Sequence, residues 1–242
     1  MSVPPERELT LTLIMPAYNE CDTIEQAVRR VRALPIAVEL IVVDDGSTDE
    51  TGAIAERLAD EGLVQRVLRQ PRNRGKGAAV AVGVAAATGD VIAVQDADLE
   101  YDPRDLLTLL EPIRSGKADA VFGSRFQSGP KRVLYFWHAV GNRFLTLLSN
   151  MLTNLNLSDV ETCYKLVRAD LFKSLPLTSR RFGLEVELPA RLARAGARIW
   201  EMPISYAGRT YAEGKKVNWR DGVAAIWHIL RFNLFPPRSP RQ

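Results

Sequence analysis

Short apolar segments alternate with segments of helical periodicity through the first half of this chain. The apolar segments read as strands buried on both faces of a sheet, and they cover residues 11–15, 38–43, 64–68, 91–94 and 120–122. Helical segments of about 10 to 15 residues between strands are typical of βαβ units. The pattern therefore predicts an α/β fold with a Rossmann-like, doubly wound and mostly parallel sheet.

Polar side chains gather where the predicted strands end. They follow the first, second, fourth and fifth strands: Tyr18, Asn19 and Glu20; Asp44 and Asp45; Asp96 and Asp98; Ser124 and Arg125. Ligands of such sheets bind beyond the carboxyl ends of the strands. A pattern that served solubility alone would scatter these charges, so the clustering predicts a binding site at this edge.

Helix starts are predicted from capping-box spacing and from proline. Asp22 with Glu25, and Ser47 with Glu50, have the spacing of reciprocal caps, and Asp102 precedes a proline at a first helical position. Beyond residue 130 the chain changes to longer apolar helices and basic loops. Segments 133–157 and 223–235 have the composition of amphipathic helices, too polar to span a bilayer.

Three carboxylates lie within five residues directly after the fourth predicted strand: Asp96, Asp98 and Glu100. Mg²⁺ prefers oxygen ligands and commonly keeps substrate phosphates in its remaining positions. If the backbone stays extended, Asp98 and Glu100 point the same way and can face one ion. The alternative is helix capping, but Asp102 already fills that position.

Two further turns are candidates for nucleotide contacts. Residues 44–47 form an Asp-Asp-Gly-Ser turn whose carboxylates can hydrogen-bond a ribose or base, although an ordinary strand-to-helix turn explains it as well. Residues 73–78 open a helix with glycines and Lys76, an arrangement that attracts anions. The alternative for these glycines is tight packing of the helix on the sheet.

Charge and cysteine content indicate which binding partners and which cellular compartment to expect. The formal net charge of +3 gives no support for nucleic acid, whereas basic residues gathered after residue 209 favour phosphates or an acidic membrane face. Cys21 and Cys163 are far apart and form no disulfide framework, which fits a reducing cytosol. Aromatic residues in 133–157 suit a membrane interface, with ordinary core packing as the alternative. We therefore expect a cytoplasmic protein, peripheral on the inner face of the membrane.

Several motifs occur in the order found in the family 2 inverting glycosyltransferases. They are PAYNE at 16–20, DDGSTD at 44–49, NRGKG at 73–77 and QDAD at 95–98. The chain resembles more closely the dolichol- and polyprenol-phosphate mannosyl- and glucosyltransferases, since GSR at 123–125, DVETCYK at 159–165 and residues 208–216 extend the match. The resemblance covers residues 9–232 and implies a GT-A type nucleotide-sugar fold with a C-terminal amphipathic helical extension.

The resemblance also implies roles for individual residues. Nucleotide-sugar contacts fall on Pro16, Ala17, Tyr18, Glu20, Asp44, Asp45, Lys76, Asp96, Ala97 and Asp98. Asp96, Asp98 and Glu100 are the implied ligands of Mg²⁺ or Mn²⁺, and the position of Glu100 is glutamine in several relatives. The acceptor phosphate falls on Arg125, Arg143, Arg209 and Lys215, and the catalytic set is Asp96, Asp98, Arg125 and Arg209.

The implied reaction is inverting transfer of mannose or glucose from a GDP- or UDP-linked donor to a polyprenyl or dolichyl phosphate. A phosphate monoester, with a second pKa near ~6, is anionic at neutral pH and can attack without a strong base. A glycan or other hydroxyl acceptor would instead need a carboxylate base, either Asp159 or Glu161. A non-catalytic nucleotide-sugar-binding protein would need a broken metal motif, but Asp96 and Asp98 are both present.

The resulting division of the chain has one domain with short ends. We expect a flexible N-terminus at 1–8, a single domain at 9–232 and a tail at 236–242. Within that domain, 9–128 forms the nucleotide-sugar half, 129–216 the acceptor half and 217–235 the C-terminal interfacial helix. Oligomeric state leaves no signal in the sequence.

Overall fold

The computed structural model describes residues 9–133, 135–181, 183–210 and 219–235, without the side chains of 219–221. The predicted flexible N-terminus, the tail and the basic residues Lys215 and Lys216 lie outside the described residues. The strands are β1 Leu11–Ala17, β2 Val38–Asp44, β3 Arg66–Arg69, β4 Val91–Val94, β5 Ala120–Ser124, β6 Lys165–Arg168 and β7 Ile199–Pro203. The helices are α1 Ile24–Arg32, α2 Thr51–Asp60, α3 Lys76–Ala86, α4 Asp105–Arg114, α5 Phe136–Thr153, α6 Ala169–Ser174, α7 Leu184–Arg194 and α8 Trp219–Leu234.

The described strands form one sheet in the order β3-β2-β1-β4-β6-β5-β7. The first four of these run parallel, and β5 pairs in parallel with β7. The predicted doubly wound, mostly parallel sheet is therefore confirmed. Its carboxyl-terminal edge brings the ends of β1, β2 and β4 side by side, which is the location predicted for the site.

Strand β6 was not predicted, and it runs antiparallel between β4 and β5. Its sequence, KLVR, has a lysine at its start and resembles a solvent-facing segment, yet Lys165 is only 2% exposed. An ion pair with Glu185 of α7 balances its charge. Because β6 comes from the chain beyond residue 129, the two predicted halves share one continuous sheet.

The predicted capping boxes are wrong. Helix α1 is capped at Thr23 without a side-chain hydrogen bond, because Glu25 pairs with Arg29 and Arg57 instead. Helix α2 begins at Thr51, where Asp49 accepts the Thr51 backbone N–H at 3.0 Å. Glu25 thus joins α1 to α2, and Asp49 makes a local turn contact, so neither acid completes the predicted reciprocal cap.

The apolar core has two parts. The larger part packs the sheet against its flanking helices. The smaller part joins α5, α7 and α8 through Leu145, Val160, Val186, Ala225 and Ile229. Both predicted amphipathic helices are therefore present, as α5 and α8, and they pack beside one another through one face.

Candidate active site

The acidic segment after β4 lies at the centre of the carboxyl-terminal edge. Asp96 accepts hydrogen bonds from Lys76 Nζ at 2.8 and 2.9 Å, so it carries a counter-ion from α3. The side chain of Ala97 packs in the main core and leaves its neighbours to face the site. Asp98 accepts the backbone N–H of Glu100 at 3.1 Å, and the Arg209 guanidinium donates to the Asp98 carbonyl oxygen.

The surroundings of Asp98 disfavour its charged form. Burial and the neighbouring Asp96 and Glu100 carboxylates raise its pKa from its ordinary 3.8 to about 7. Burial disfavours a charged group, and like charges nearby add to the cost. A carboxylate in this state favours a cation that also reaches Asp96, and two carboxylates with substrate phosphates form a common magnesium environment.

Glu100 does not join these two acids. Leu99 adopts a left-handed φ of +66°, so the segment turns instead of staying extended. Glu100 then accepts the Tyr206 hydroxyl at 2.7 Å and the Arg209 backbone N–H at 2.7 Å. Within the described residues no group of three acidic, histidine or cysteine side chains has a metal-holding arrangement. The structure therefore brings together Asp96 and Asp98 as candidate ligands, and Glu100 as a third ligand stays a prediction.

We expect Glu100→Ala to release the 205–209 segment, because both Glu100 oxygens hold it. Glu100→Gln keeps one acceptor and replaces the other oxygen with a donor that the Tyr206 hydroxyl can accept, so it should preserve the contact. Amide hydrogen exchange at Ala207 and Arg209 should rise about tenfold in the alanine variant alone, as expected for the loss of hydrogen bonds to a charged group. Equal exchange in both variants would contradict this assignment.

The start of α3 was predicted to bind an anion, and the structure favours the alternative. The backbone N–H groups of Gly77 and Ala78 donate to the carbonyl oxygens of Arg181 and Arg180, at 3.3 and 3.1 Å. A Cβ on Gly75 or Gly77 would overlap the backbone of the same segment. These glycines therefore allow close packing, and the helix start is occupied by carbonyl oxygens instead of being open to a phosphate.

Asp44 and Asp45 are both buried and hydrogen-bonded to the protein. Asp45 accepts the backbone N–H groups of Arg74 and Gly75 at 2.9 and 2.7 Å, and the Gln70 amide at 2.8 Å. Asp44 accepts from Ser47 and Arg69. These bonds shape the turns at the ends of β2 and β3. The predicted contacts of Asp44 and Asp45 with a nucleotide-sugar stay predictions.

A cavity of about 490 Å³ opens beside these turns. It is lined by Gly46, Ser47, Thr48, Arg69, Gln70 and Pro71. Its position beyond the ends of β2 and β3 is where ligands of parallel sheets bind. The cavity lies next to the Asp-Asp-Gly-Ser turn, so it is the candidate space for the nucleoside part of a ligand.

The segment after β1 reaches the same edge. Ala17 is buried at the end of β1, Pro16 is half-buried before it, and Tyr18 is exposed. Asn19 links this segment to the next turn, since its backbone N–H donates to Ser47 Oγ at 3.1 Å. Glu20 lies 3.6 Å from Arg209 Nη1, so the structure brings these two predicted site residues together.

The predicted phosphate-binding arginines differ in their surroundings. Arg125 donates through Nε and Nη2 to both oxygens of the fully buried Asp159, at 2.7 and 2.8 Å. Arg143 is exposed on α5, with its guanidinium 5.9 Å from the Phe126 ring centre. Arg209 lies against the acidic segment, while Lys215 lies outside the described residues. The structure thus gives Arg125 a structural ion pair that the sequence did not indicate.

Three site residues were missed by sequence reasoning: Lys165, Glu185 and Tyr206. Lys76 Nζ lies 3.1 Å from Glu185 Oε1, and Lys165 lies 2.7 Å from the other Glu185 oxygen. Tyr206 contacts Glu100 and stacks under Arg125, 5.1 Å from ring centre to guanidinium carbon. All three lie far in sequence from the acidic segment, and the place of Lys165 at the end of the 159–165 motif was the one available signal.

Comparison with solved structures supports the fold. Glucosyl-3-phosphoglycerate synthase from Mycobacterium tuberculosis, in complex with Mn²⁺ and UDP-glucose, superposes with a TM-score of 0.73 at 22% identity, over 95% of this chain and 80% of that chain. The mostly parallel sheet and this superposition identify the fold as the GT-A type.

Sequence comparison then places the chain more narrowly. The profile described as "Glycosyl transferase family 2" matches residues 12–175, and the chain belongs to this family. It is 33% identical to the undecaprenyl-phosphate mannosyltransferase of Micrococcus luteus, over 91% of this chain and 97% of that protein. It is 30% identical to the dodecaprenyl-phosphate galacturonate synthase of Rhizobium johnstonii, over 87% of this chain and 63% of that protein.

Proposed function

We propose that this glycosyltransferase moves a hexose, with inversion, from a GDP- or UDP-linked donor to a polyprenyl or dolichyl phosphate. The observation that carries the proposal is the pair Asp96 and Asp98 at the end of β4, with the pKa of Asp98 raised to about 7. The similarity to a polyprenyl-phosphate mannosyltransferase over nearly the full length of both proteins supports the acceptor class.

Mg²⁺ or Mn²⁺ would be held by Asp96 and Asp98. When bound, such an ion neutralises the negative charge that develops on a departing nucleoside diphosphate. Burial and like-charge repulsion around Asp98 fit this assignment, because a cation would relieve both. Lys76 already neutralises part of the charge on Asp96, so the site contains one ammonium group beside the two carboxylates.

The acceptor phosphate would bind on the side of Arg209 and Arg143. Arginine forks hold phosphates in two-point contact, and Arg209 adjoins the acidic segment through Glu20 and the Asp98 carbonyl oxygen. Arg125 would support this side chiefly by stacking on Tyr206 and by fixing Asp159. The phosphate would attack the anomeric carbon with its own oxygen, without a protein base.

A hydroxyl acceptor is the second candidate, and Glu161 favours it. Asp159 is unsuitable as a base, because Arg125 engages both of its oxygens and lowers its pKa against the effect of burial. Glu161 Oε1 is buried without a hydrogen-bond partner, and burial with the nearby Glu185 raises its pKa to about 7. A carboxylate with a pKa near the working pH is suited to general-base catalysis.

Transfer assays with short isoprenyl phosphates and with soluble saccharides separate the two candidates. Under the main proposal, labelled sugar appears on the isoprenyl phosphate, and Glu161→Gln keeps most of the activity. Labelling of saccharides alone, with loss of activity in Glu161→Gln, would overturn the phosphate acceptor. Thermal shifts with GDP and UDP, each with and without Mn²⁺, identify the nucleotide, because ligands stabilise the native state.

The exposed faces of α5 and α8 support contact with a membrane surface. Phe136, Trp137 and Met151 on α5 are 68%, 77% and 72% exposed, and Trp227 on α8 is 60% exposed. Two exposed basic side chains accompany these aromatic residues, Lys131 before α5 and Arg143 within it. None of the described helices combines the length and the hydropathy of a membrane span. The two helices would lie in the interface, with aromatic rings at headgroup level.

Trp137→Glu should weaken binding to vesicles that contain anionic lipid by about tenfold, since burying a large apolar side chain contributes about 1.5–3 kcal/mol. Co-sedimentation measures the bound fraction. Trp200→Glu is a matched control, because Trp200 is 44% exposed on the edge strand β7, away from α5. Equal losses in the two variants would argue against this surface.

A further inference from the structure

A row of alternating charges runs from the acidic segment into the acceptor half of the protein. Asp96 pairs with Lys76 at 2.8 Å, Lys76 with Glu185 at 3.1 Å, and Glu185 with Lys165 at 2.7 Å. The Lys165 ammonium also donates to the carbonyl oxygen of Thr162. All four side chains are mostly shielded from solvent, so their mutual attractions are only weakly screened.

Lys76 is the branching point of this row. Its ammonium is within 3.1 Å of carboxylates from two different elements, Asp96 after β4 and Glu185 in the first turn of α7. The ammonium is largely shielded from solvent, with 15% of the side chain exposed. A buried ammonium needs an anionic partner, and these two carboxylates supply it.

A cation at Asp96 would compete with Lys76 for the same oxygens. Both Asp96 oxygens lie within hydrogen-bond reach of Lys76 Nζ, at 2.8 and 2.9 Å. If a divalent ion were held by Asp96, Lys76 would share or leave that carboxylate and would depend more on a second anion. Glu185 is the carboxylate already in contact with it, and Lys165 holds Glu185 from the opposite side.

We infer that Glu185 is a positioning residue that retains Lys76 and thereby frees Asp96 to bind the divalent cation. This inference rests on the proposed use of a metal by this enzyme. Glu185 acts through Lys76 and touches neither donor nor acceptor in this assignment. It also couples the segment after β4 to α7 and β6, so the cation site depends on elements from both halves of the chain.

Mn²⁺ titration of the metal-free protein, followed by the electron paramagnetic resonance signal of free Mn²⁺, tests the inference without an activity assay. Glu185→Gln should raise the Kd for Mn²⁺ about tenfold, because Lys76 loses its second anion and stays on Asp96. Lys165→Met should lower the Kd about threefold, because Glu185 then draws Lys76 more strongly.

The decisive comparison uses the Lys76→Met background. There the effect of Glu185→Gln should shrink to less than twofold, because the coupling passes through the missing ammonium. A tenfold effect that persists without Lys76 would overturn the inference in favour of long-range electrostatics, and an unchanged Kd in Glu185→Gln would overturn it directly. If Glu185→Gln does not fold, Lys165→Met takes its place. A threefold lower Kd that disappears in the Lys76→Met background supports the inference, and an unchanged Kd or an effect that persists without Lys76 overturns it.

The same titration distinguishes failure of the proposed function from failure of the positioning role of Glu185. If the unaltered protein binds no Mn²⁺, with or without GDP or UDP, metal use itself is wrong. If it binds Mn²⁺ and Glu185→Gln binds equally well, the metal site stands and the positioning role of Glu185 falls. Glu201→Gln serves as a matched control, because Glu201 is a part-buried glutamate that holds Ser158 and Gln127 outside this row.

Discussion

Asp98→Asn is expected to stabilise the ligand-free protein at pH 8 by about 2–4 kcal/mol while lowering turnover about 1000-fold or more. Burial and the neighbouring acids raise the pKa of Asp98 from 3.8 to about 7. That difference corresponds to about 4 kcal/mol as an upper limit. Asparagine has nearly the same shape and no charge, so it removes this cost and also removes an anionic ligand.

The pH dependence has a definite sign. The native state retains the Asp98 proton up to about pH 7, whereas the unfolded state releases it near 3.8. The native state therefore binds more protons between these values, and the stability of the unaltered protein should fall as pH rises through that window. Asp98→Asn should lack this fall, so the two proteins should have similar stability at pH 4 and differ most at pH 8.

Urea unfolding in the presence of a chelator, at pH 4, 6 and 8, measures the effect. Asp102→Asn is the matched control in the same segment, because Arg104 lowers the pKa of Asp102 and so reverses the expected sign. A variant at Asp98 that gains no stability at pH 8 would contradict the account of its charge. Unaltered turnover would refute Asp98 as a metal ligand.

Arg125→Met is expected to destabilise the fold by about 3–5 kcal/mol. The change leaves Asp159 fully buried without its bidentate partner, and an uncompensated buried charge is costly. Adding Asp159→Asn should recover about half of the loss, because the double variant no longer buries an unpaired carboxylate. The loss in Arg125→Met alone should also diminish at low pH, where Asp159 becomes protonated.

Arg143→Met separates this structural effect from phosphate binding. Arg143 is exposed, so its loss should change stability by less than about 0.5 kcal/mol. If it binds the acceptor phosphate, the KM for the acceptor should rise while the melting temperature stays constant. The opposite pattern for Arg125, with full stability and a raised acceptor KM, would restore Arg125 to the role that the family resemblance implied.

The first half of the fold could be predicted because its strands are locally distinct. Strand β4 was predicted at its observed bounds, and β1, β2, β3 and β5 within a few residues. Such strands can be recognised in the sequence as continuous apolar segments, because both faces of a parallel sheet are buried. Strand β6 escaped prediction, since Lys165 reads as a surface residue until Glu185 is placed beside it.

The candidate site was also predicted in part from the sequence. The motifs located the acids at the end of β4 and the turns beyond β1 and β2, and the structure brings these together at one edge. The sequence did not reveal the surroundings of Glu100, because the left-handed turn at Leu99 directs that carboxylate to Tyr206 and Arg209. The anion site at α3 failed because the 179–181 segment covers the helix start.

The sequence by itself determined the alternation of strands and helices, the edge that carries the acids and the family to which the chain belongs. These depend on local apolar periodicity and on residues that lie close together along the chain. Only the tertiary structure decided which charges pair, such as Arg125 with Asp159 and Lys76 with Asp96 and Glu185. A buried charge takes its partner from whichever element packs beside it, and that element is set by long-range packing.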